Sequence, residues 1–116
     1  MTTLKLDSLD DTALAFCFAL CKMTTEDASS LLGKFAGCFR EVLDKRNQTI
    51  EAPRAPHVYD FDLEAIDSND VDLTVFVFQR LADVFQKTRN RRAERFCQKL
   101  VAEIFTIHEM ESVGHA

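Results

Sequence analysis

Glycine, proline and tryptophan are scarce in this chain, which has three Gly, two Pro and no Trp among its 116 residues. A turn-rich all-β fold of this length would need many Gly and Pro residues at its turns, so the composition favours helices. Ten Phe supply the bulky apolar volume of a core. The length fits a single domain over residues 1–116, large enough to need no disulfide or metal.

Long apolar segments are also missing. The longest, from Ala13 to Cys21, has nine residues, whereas a helix needs roughly twenty to span a bilayer. Asp7, Asp10 and Asp11 precede this run, where a signal peptide would carry basic residues. Four Cys without a secretory context are expected to be reduced thiols. We therefore expect a cytoplasmic protein that does not enter the membrane.

Short motifs that carry catalysis or phosphate binding are absent as well. The sequence contains no G-x-x-x-x-G-K-[ST], G-x-G-x-x-G, G-x-S-x-G or H-E-x-x-H. We therefore expect no enzyme activity, no catalytic residue and no cofactor.

The four cysteines, Cys17, Cys21, Cys38 and Cys97, raise a further hypothesis, a metal protein or a thiol enzyme. Cys17 and Cys21 lie on one face of a predicted helix, but no closely spaced Cys or His pair has the geometry of a zinc site. Each Cys lies in or beside an apolar stripe, and free cysteine packs as a small hydrophobe. We expect all four in or near the core, with no metal. His108 continues an apolar stripe and is expected at the core edge.

Four helices are predicted, near residues 8–22, 25–46, 70–88 and 91–110. In the last two, apolar residues recur at i, i+3, i+4 and i+7 on either side of a basic stretch. At about 100° per residue, the two stripes would face nearly opposite sides of one continuous helix. We therefore predict a break near Thr88–Asn90 and a helical hairpin, with Asn90 as the N-cap of the last helix.

Local signals predict the limits of the first two helices. Ser8 followed by Asp11 resembles a capping box, and Thr24 is the predicted N-cap of the second helix. Gly33 and Gly37 lie four apart on that helix, where each costs up to about 1 kcal/mol of helix propensity. This cost predicts a close approach by a neighbouring helix.

Residues 48–69 form one long connection between the second and third helices. Its first part holds both prolines and is predicted to be extended. Residues 58–64 (VYDFDLE) alternate between apolar and acidic side chains, which is the period of a strand. This segment is predicted either to plug the bundle with its aromatic rings or to pair with residues 73–78 (LTVFVF), which are β-prone.

The predicted fold class is therefore all-α, a four-helix bundle-like domain with one long acidic crossover and a frayed tail at residues 112–116. The alternative is an α+β domain with a short hairpin from residues 58–64 and 73–78. The first helix is apolar almost all round, and such a helix is buried on more than one side. A homodimer formed through the first helix is the expected assembly.

Charge is unevenly distributed around the net value of −5. Residues 79–99 carry seven Lys/Arg against two Asp/Glu, and the rest of the chain carries seven against seventeen. Like charges at i,i+4 spacing cost roughly 0.2–0.5 kcal/mol per pair, and cations near a helix N-terminus oppose its dipole. The region is either a solvated face or a surface that meets an anion. Six cations of this region are called the basic elbow: Lys87, Arg89, Arg91, Arg92, Arg95 and Lys99.

An acidic cluster precedes the third helix, with six carboxylates and no Lys or Arg in residues 60–72. The cluster does not match the calcium-binding loop of an EF-hand, because Ala65 and Val71 occupy the positions that require Gly and Glu. A solvated surface that also supplies N-caps is the simpler interpretation. We call Asp60, Asp62 and Glu64 the acidic segment. They form a second candidate surface for a partner.

These features predict a non-catalytic interaction or regulatory protein, such as an adaptor, an inhibitor or an immunity-type factor. It would dock a charge-segregated helical surface on a macromolecular partner, and we expect that partner to be a protein. The alternative is a nucleic-acid-binding helical dimer that uses residues 87–99. The sequence places no exposed aromatic between the arginines to stack bases, and it lacks a helix-turn-helix glycine turn. Nucleic acid is therefore the second hypothesis.

Overall fold

The computed structural model of the chain describes residues 2–48 and 58–114. Its four helices are α1 (Asp11–Thr24), α2 (Leu31–Gln48), α3 (Ser68–Lys87) and α4 (Arg91–Gly114). Two short strands, β1 (Thr2–Lys5) and β2 (Val58–Phe61), and a 3₁₀ turn at Leu63–Ala65 complete the elements. The predicted all-α, bundle-like class is confirmed, with a small two-stranded sheet added to it. None of the helices in these ranges combines the length and apolar character needed to cross a bilayer.

Phenylalanine rings form the centre of the core, where α2, α3 and β2 meet. Phe35 of α2 makes edge-on contacts with Phe61 and Phe78, at centroid distances of 4.7 and 5.6 Å. Phe39 lies 6.3 Å from the Phe78 ring. Because Phe61 belongs to β2, the extended segment does place an aromatic ring against the bundle, as predicted.

The alternative fold, in which residues 58–64 pair with residues 73–78, is wrong. Residues 73–78 lie within α3, where Thr74, Val75, Val77 and Phe78 are buried at helical spacing. The partner of β2 is instead β1, in an antiparallel register from Thr2↔Phe61 to Lys5↔Val58. Of the predicted 48–69 connection, residues 49–57 lie outside the described part of the chain.

The predicted break between α3 and α4 is confirmed at Thr88–Asn90. The amide of Asn90 donates to the carbonyl of Phe85 at 2.9 Å, and that of Arg89 donates to Gln86 at 3.2 Å. These two bonds form a Schellman ending for α3. Arg89 takes the left-handed position of this ending, with φ of 60°. Asn90 then caps α4, since its Oδ1 accepts from the Ala93 amide at 3.3 Å.

The N-cap of α1 is Asp10, and the predicted cap at Ser8 is wrong. Asp10 Oδ1 accepts from the Ala13 amide at 2.7 Å. The chain makes a turn before the helix, in which the Leu9 amide donates to the Leu6 carbonyl at 3.2 Å. Both leucines are buried, at 0% and 1% exposure. Burying both side chains requires this turn, so the helix begins later than predicted.

The predicted start of α2 near residue 25 is also wrong. Thr24 is the last residue of α1, and α2 begins at Leu31. Ser30 is the effective cap, because its Oγ accepts from the Gly33 amide at 3.1 Å. A Cβ at Gly33 would lie 2.3 Å from the Asp27 carbonyl oxygen, so the close approach comes from the preceding loop and not from another helix.

The second half of α4 differs from prediction in two ways. The helix continues to Gly114, so residues 112–114, predicted to fray, are helical, and residues 115–116 lie outside the described part. The apolar residues at helical spacing in α4 were predicted to face the core, and one of them, Phe105, is instead 45% exposed. His108 is at the core edge, where its Nε2 lies 3.2 Å from the Leu63 carbonyl oxygen.

Candidate functional site: the basic elbow

The basic elbow is built where the C-terminus of α3 and the N-terminus of α4 meet the start of α1. Asn90 Nδ2 donates to Asp10 Oδ2 at 3.2 Å and ties the connection to α1. At the same end, Arg46 Nη1 donates to the Leu9 carbonyl at 2.7 Å and to Asp11 Oδ1 at 3.0 Å. The cations of the elbow therefore project from a backbone held by capping and tertiary hydrogen bonds.

One groove at this end, which we call the strand groove, lies between β1 and α4 and encloses about 650 Å³. Residues Thr3–Lys5 and Ser8 form one wall. The other wall comes from α4 and consists of Arg92, Arg95, Phe96, Lys99, Leu100 and Glu103. Three of the six cations of the basic elbow thus line one concave surface.

A second groove of about 540 Å³, the elbow groove, lies between α1 and the α3–α4 connection. Its cations are Arg89, Arg91 and Arg92. Phe16 and Phe85 line it as well, with their rings edge to face at 6.4 Å. Because Arg92 lines both grooves, the two form one basic surface. Lys87 is exposed at the end of α3 and lies outside both linings.

This surface carries positive charge that the described part of the chain does not neutralise. Among the side chains described, no carboxylate lies within 4.0 Å of any cation of the basic elbow. The two acids in the grooves are Asp10, which already accepts two hydrogen bonds, and Glu103. Lys5 of β1 adds a further exposed cation to the strand groove. The like-charge repulsion predicted for the basic elbow is therefore not relieved by an ion pair among the described side chains.

Aromatic rings are more accessible here than the sequence indicated. Phe96 is half-buried and lines the strand groove between the arginines and Lys99, and Phe16 is 45% exposed in the elbow groove. Sequence reasoning assigned both residues to apolar helix faces. It also missed Lys5, because nothing in a four-residue strand near the N-terminus predicts that it packs beside α4.

The acidic segment does not meet the basic elbow. Asp60 Oδ1 accepts from Thr3 Oγ1 at 2.8 Å across the sheet, and Asp62 Oδ1 accepts from the Glu64 amide at 3.2 Å and caps the 3₁₀ turn. Glu64 is exposed. In the described side chains, no ion pair links any of the three to the basic elbow. Two of these acids therefore have local structural roles.

Three cysteines form a buried group between α1 and α4. Cys17, Cys21 and Cys97 are fully buried, as predicted, and Cys38 is half-buried. A hydrogen bond with Cys97, together with burial, holds the pKa of Cys17 well above its usual value. Burial raises the pKa of Cys21 to about 12 and that of Cys38 to about 11. Thiols with such pKa values are poor nucleophiles at neutral pH. No set of three His, Cys, Asp or Glu residues within the described ranges is placed to hold a metal ion.

We therefore take the basic surface as the candidate functional site. The chain matches no protein-family model, no curated protein and no solved structure.

Proposed function

We propose that the chain is a non-catalytic interaction protein that docks its basic elbow on an acidic surface of another protein. One observation carries this proposal: five of the six cations of the basic elbow line two adjoining grooves, with no carboxylate of the described side chains paired to them. Each groove holds more cations than acids, and a groove with an excess of one charge sign attracts partners of the opposite sign and orients them during encounter.

The energetics of the elbow support an anionic partner. Arg91/Arg95 and Arg95/Lys99 are like-charge i,i+4 pairs on α4, each costing roughly 0.2–0.5 kcal/mol. Arg91 and Arg92 lie in the first turn of α4, where a cation opposes the helix dipole by roughly 0.3–1 kcal/mol. A bound carboxylate-rich surface removes these penalties and adds charge-assisted hydrogen bonds to the arginines.

The test is affinity capture from the native host, with the recovered proteins read by mass spectrometry and the recovered nucleic acid assayed in parallel. The elbow variant reverses Arg89, Arg92 and Arg95 to Glu. The matched control reverses the exposed cations Lys22, Lys34 and Arg80, which changes the net charge equally. The elbow variant should reduce recovery of a specific protein by at least about tenfold, since interface charge pairs couple by more than 1.5 kcal/mol.

The control variant should retain that protein, and both variants should keep the wild-type circular dichroism. Equal recovery by all three forms would remove the basic elbow as the docking surface. A parallel variant, with Asp60, Asp62 and Glu64 changed to their amides, tests whether the acidic segment contacts the same partner.

Nucleic acid is a second candidate, and the accessible rings of Phe96 and Phe16 beside the arginines favour it, because single-stranded binders stack bases on such rings. Outside residues 79–99 the chain carries seven Lys/Arg against seventeen Asp/Glu, which would repel a long polyanion. If nucleic acid is the partner, its affinity for the chain should fall steeply between low and physiological salt. A flat fluorescence-polarisation titration with duplex and single-stranded probes at low salt would eliminate this candidate.

A homodimer through α1 belongs to the same proposal. Ala13, Leu14 and Cys17 are buried in the protomer, whereas Phe16 and Met23 are 45% and 83% exposed. In this proposal a second copy covers Met23, the most exposed large apolar side chain in the described part of the chain. Sedimentation should show a dimer that the variant Met23→Glu dissociates.

We also propose a cytoplasmic location, because four cysteines that form no disulfide are typical of a reducing compartment.

A further inference from the structure

One edge of β1 has no strand beside it. The sheet consists of β1 and β2 alone within the described residues, so each strand pairs along a single edge. The strand groove is lined by Thr3–Lys5 and by no residue of β2, which places it along the open edge of β1. An open edge presents unpaired backbone N–H and C=O groups, and extended peptides bind such edges by adding a strand.

The strand groove has the length of a short peptide. Its α4 wall runs from Arg92 to Glu103, which at 1.5 Å per residue is about 16 Å. An extended chain rises about 3.3 Å per residue, so about five residues fill this length. The groove therefore fits a linear segment and leaves the rest of the partner outside.

The burial of the lining residues divides the groove into an apolar floor and a basic rim. Leu4 and Leu100 are buried, at 4% and 3% exposure, and Phe96 is half-buried. The rim carries four exposed cations, namely Lys5, Arg92, Arg95 and Lys99, and one exposed acid, Glu103, at its far end. Side chains of an added strand point alternately to opposite faces, so one set meets the floor and the other meets the rim.

The spacing of the rim cations matches alternate residues of a strand. Arg92, Arg95 and Lys99 are separated along the helix axis by about 4.5 and 6 Å, and alternate strand residues by about 6.6 Å. Long Arg and Lys side chains span this small difference. The matching ligand alternates acidic and apolar residues.

We propose that the strand groove binds an extended segment of alternating acidic and apolar residues, which adds to the open edge of β1 and sets its carboxylates against Arg92, Arg95 and Lys99. This inference rests on the proposed function and names the chemistry of the partner. A second copy is a poorer occupant, because β1-to-β1 pairing would bring two basic rims together. Nucleic acid supplies negative charge but has no peptide backbone to continue the ladder of hydrogen bonds at a strand edge.

The test measures binding of a fluorescent, end-capped hexapeptide of alternating Glu and Val to the full chain by fluorescence polarisation, at about 0.15 M salt. Reversing Arg95 and Lys99 to Glu should weaken binding by at least about tenfold, whereas reversing Lys22 and Lys34 should leave it unchanged. Two further peptides carry N-methyl groups on alternate amides, one peptide on the amides of its Glu residues and the other on those of its Val residues. One of these two peptides should lose binding by at least about tenfold, because a strand directs alternate N–H groups to one edge, and the other should retain it.

Several results would overturn this inference. Equal binding by both N-methylated peptides would rule out strand addition, and equal binding by the two double variants would rule out the basic rim. An absence of peptide binding, or tighter binding of an oligonucleotide of equal charge, would rule out this ligand class. If elbow-dependent capture of a host protein persisted despite any of these results, the proposed function would stand without this site.

Discussion

Replacing Arg89 with Gly should stabilise the protein, although it removes a residue of the proposed docking surface. Arg89 has φ of 60°, and the left-handed region costs a side-chain-bearing residue roughly 1–2 kcal/mol. Gly avoids that strain but loses roughly 0.5–1 kcal/mol more conformational entropy on folding. The net gain should be about 1 kcal/mol, or about 4 °C in Tm for a domain of this size.

The assay is urea and thermal unfolding of the wild type, Arg89→Gly and Arg89→Ala, monitored by circular dichroism. Arg89→Ala removes the same charge but keeps a Cβ in the left-handed position, so its stability should stay within about 0.5 kcal/mol of the wild type. If Arg89→Gly were no more stable than Arg89→Ala, the backbone reasoning would be wrong. A stabilised Arg89→Gly protein that captures less partner would show that the arginine serves binding at the expense of folding.

Four further substitutions test the packing of α2, the core thiols and the cap of α4. Gly33→Ala should destabilise the protein by about 1–3 kcal/mol, because the new Cβ meets the Asp27 carbonyl. In Gly37→Ala the new Cβ enters open space, so this change should stabilise the protein by up to about 1 kcal/mol. Urea unfolding compares the two variants. Stability should fall as pH rises from 9 towards 12, since the folded state raises the pKa of Cys21 from 9.0 to about 12 and so holds its proton more tightly than the unfolded chain. Cys21→Ala should flatten that part of the pH profile. Asn90→Ala should cost about 1 kcal/mol in the same unfolding assay, through the lost cap of α4.

The α3–α4 hairpin was predictable from the sequence because its determinants are local. Apolar residues at helical spacing set both faces, and their phase difference required a break that the structure places at Thr88–Asn90. Asn90 is a cap by residue type and by geometry. The basic elbow was likewise visible, since its cations follow one another in sequence.

The features that the sequence did not reveal depend on residues far apart in the chain. β1 pairs with a segment more than fifty residues away, as the Thr3–Asp60 hydrogen bond shows, and four residues are too few for a periodic signal. The cap of α1 moved to Asp10 because Leu6 and Leu9 both had to reach the core. The strand groove needs β1 and α4 side by side, so the sequence showed the charges but not the concave surface that they line.

The most direct test of the docking surface is amide hydrogen exchange of the chain, measured with and without the protein captured through the basic elbow. Docking at this surface should slow exchange in residues 2–5 and 89–103, which form β1, the elbow and the groove-lining part of α4. Exchange in the first two turns of α2, around Lys34, should be unchanged. Protection confined to α1 or to the exposed face of α3 around Phe76, with residues 89–103 unchanged, would contradict it.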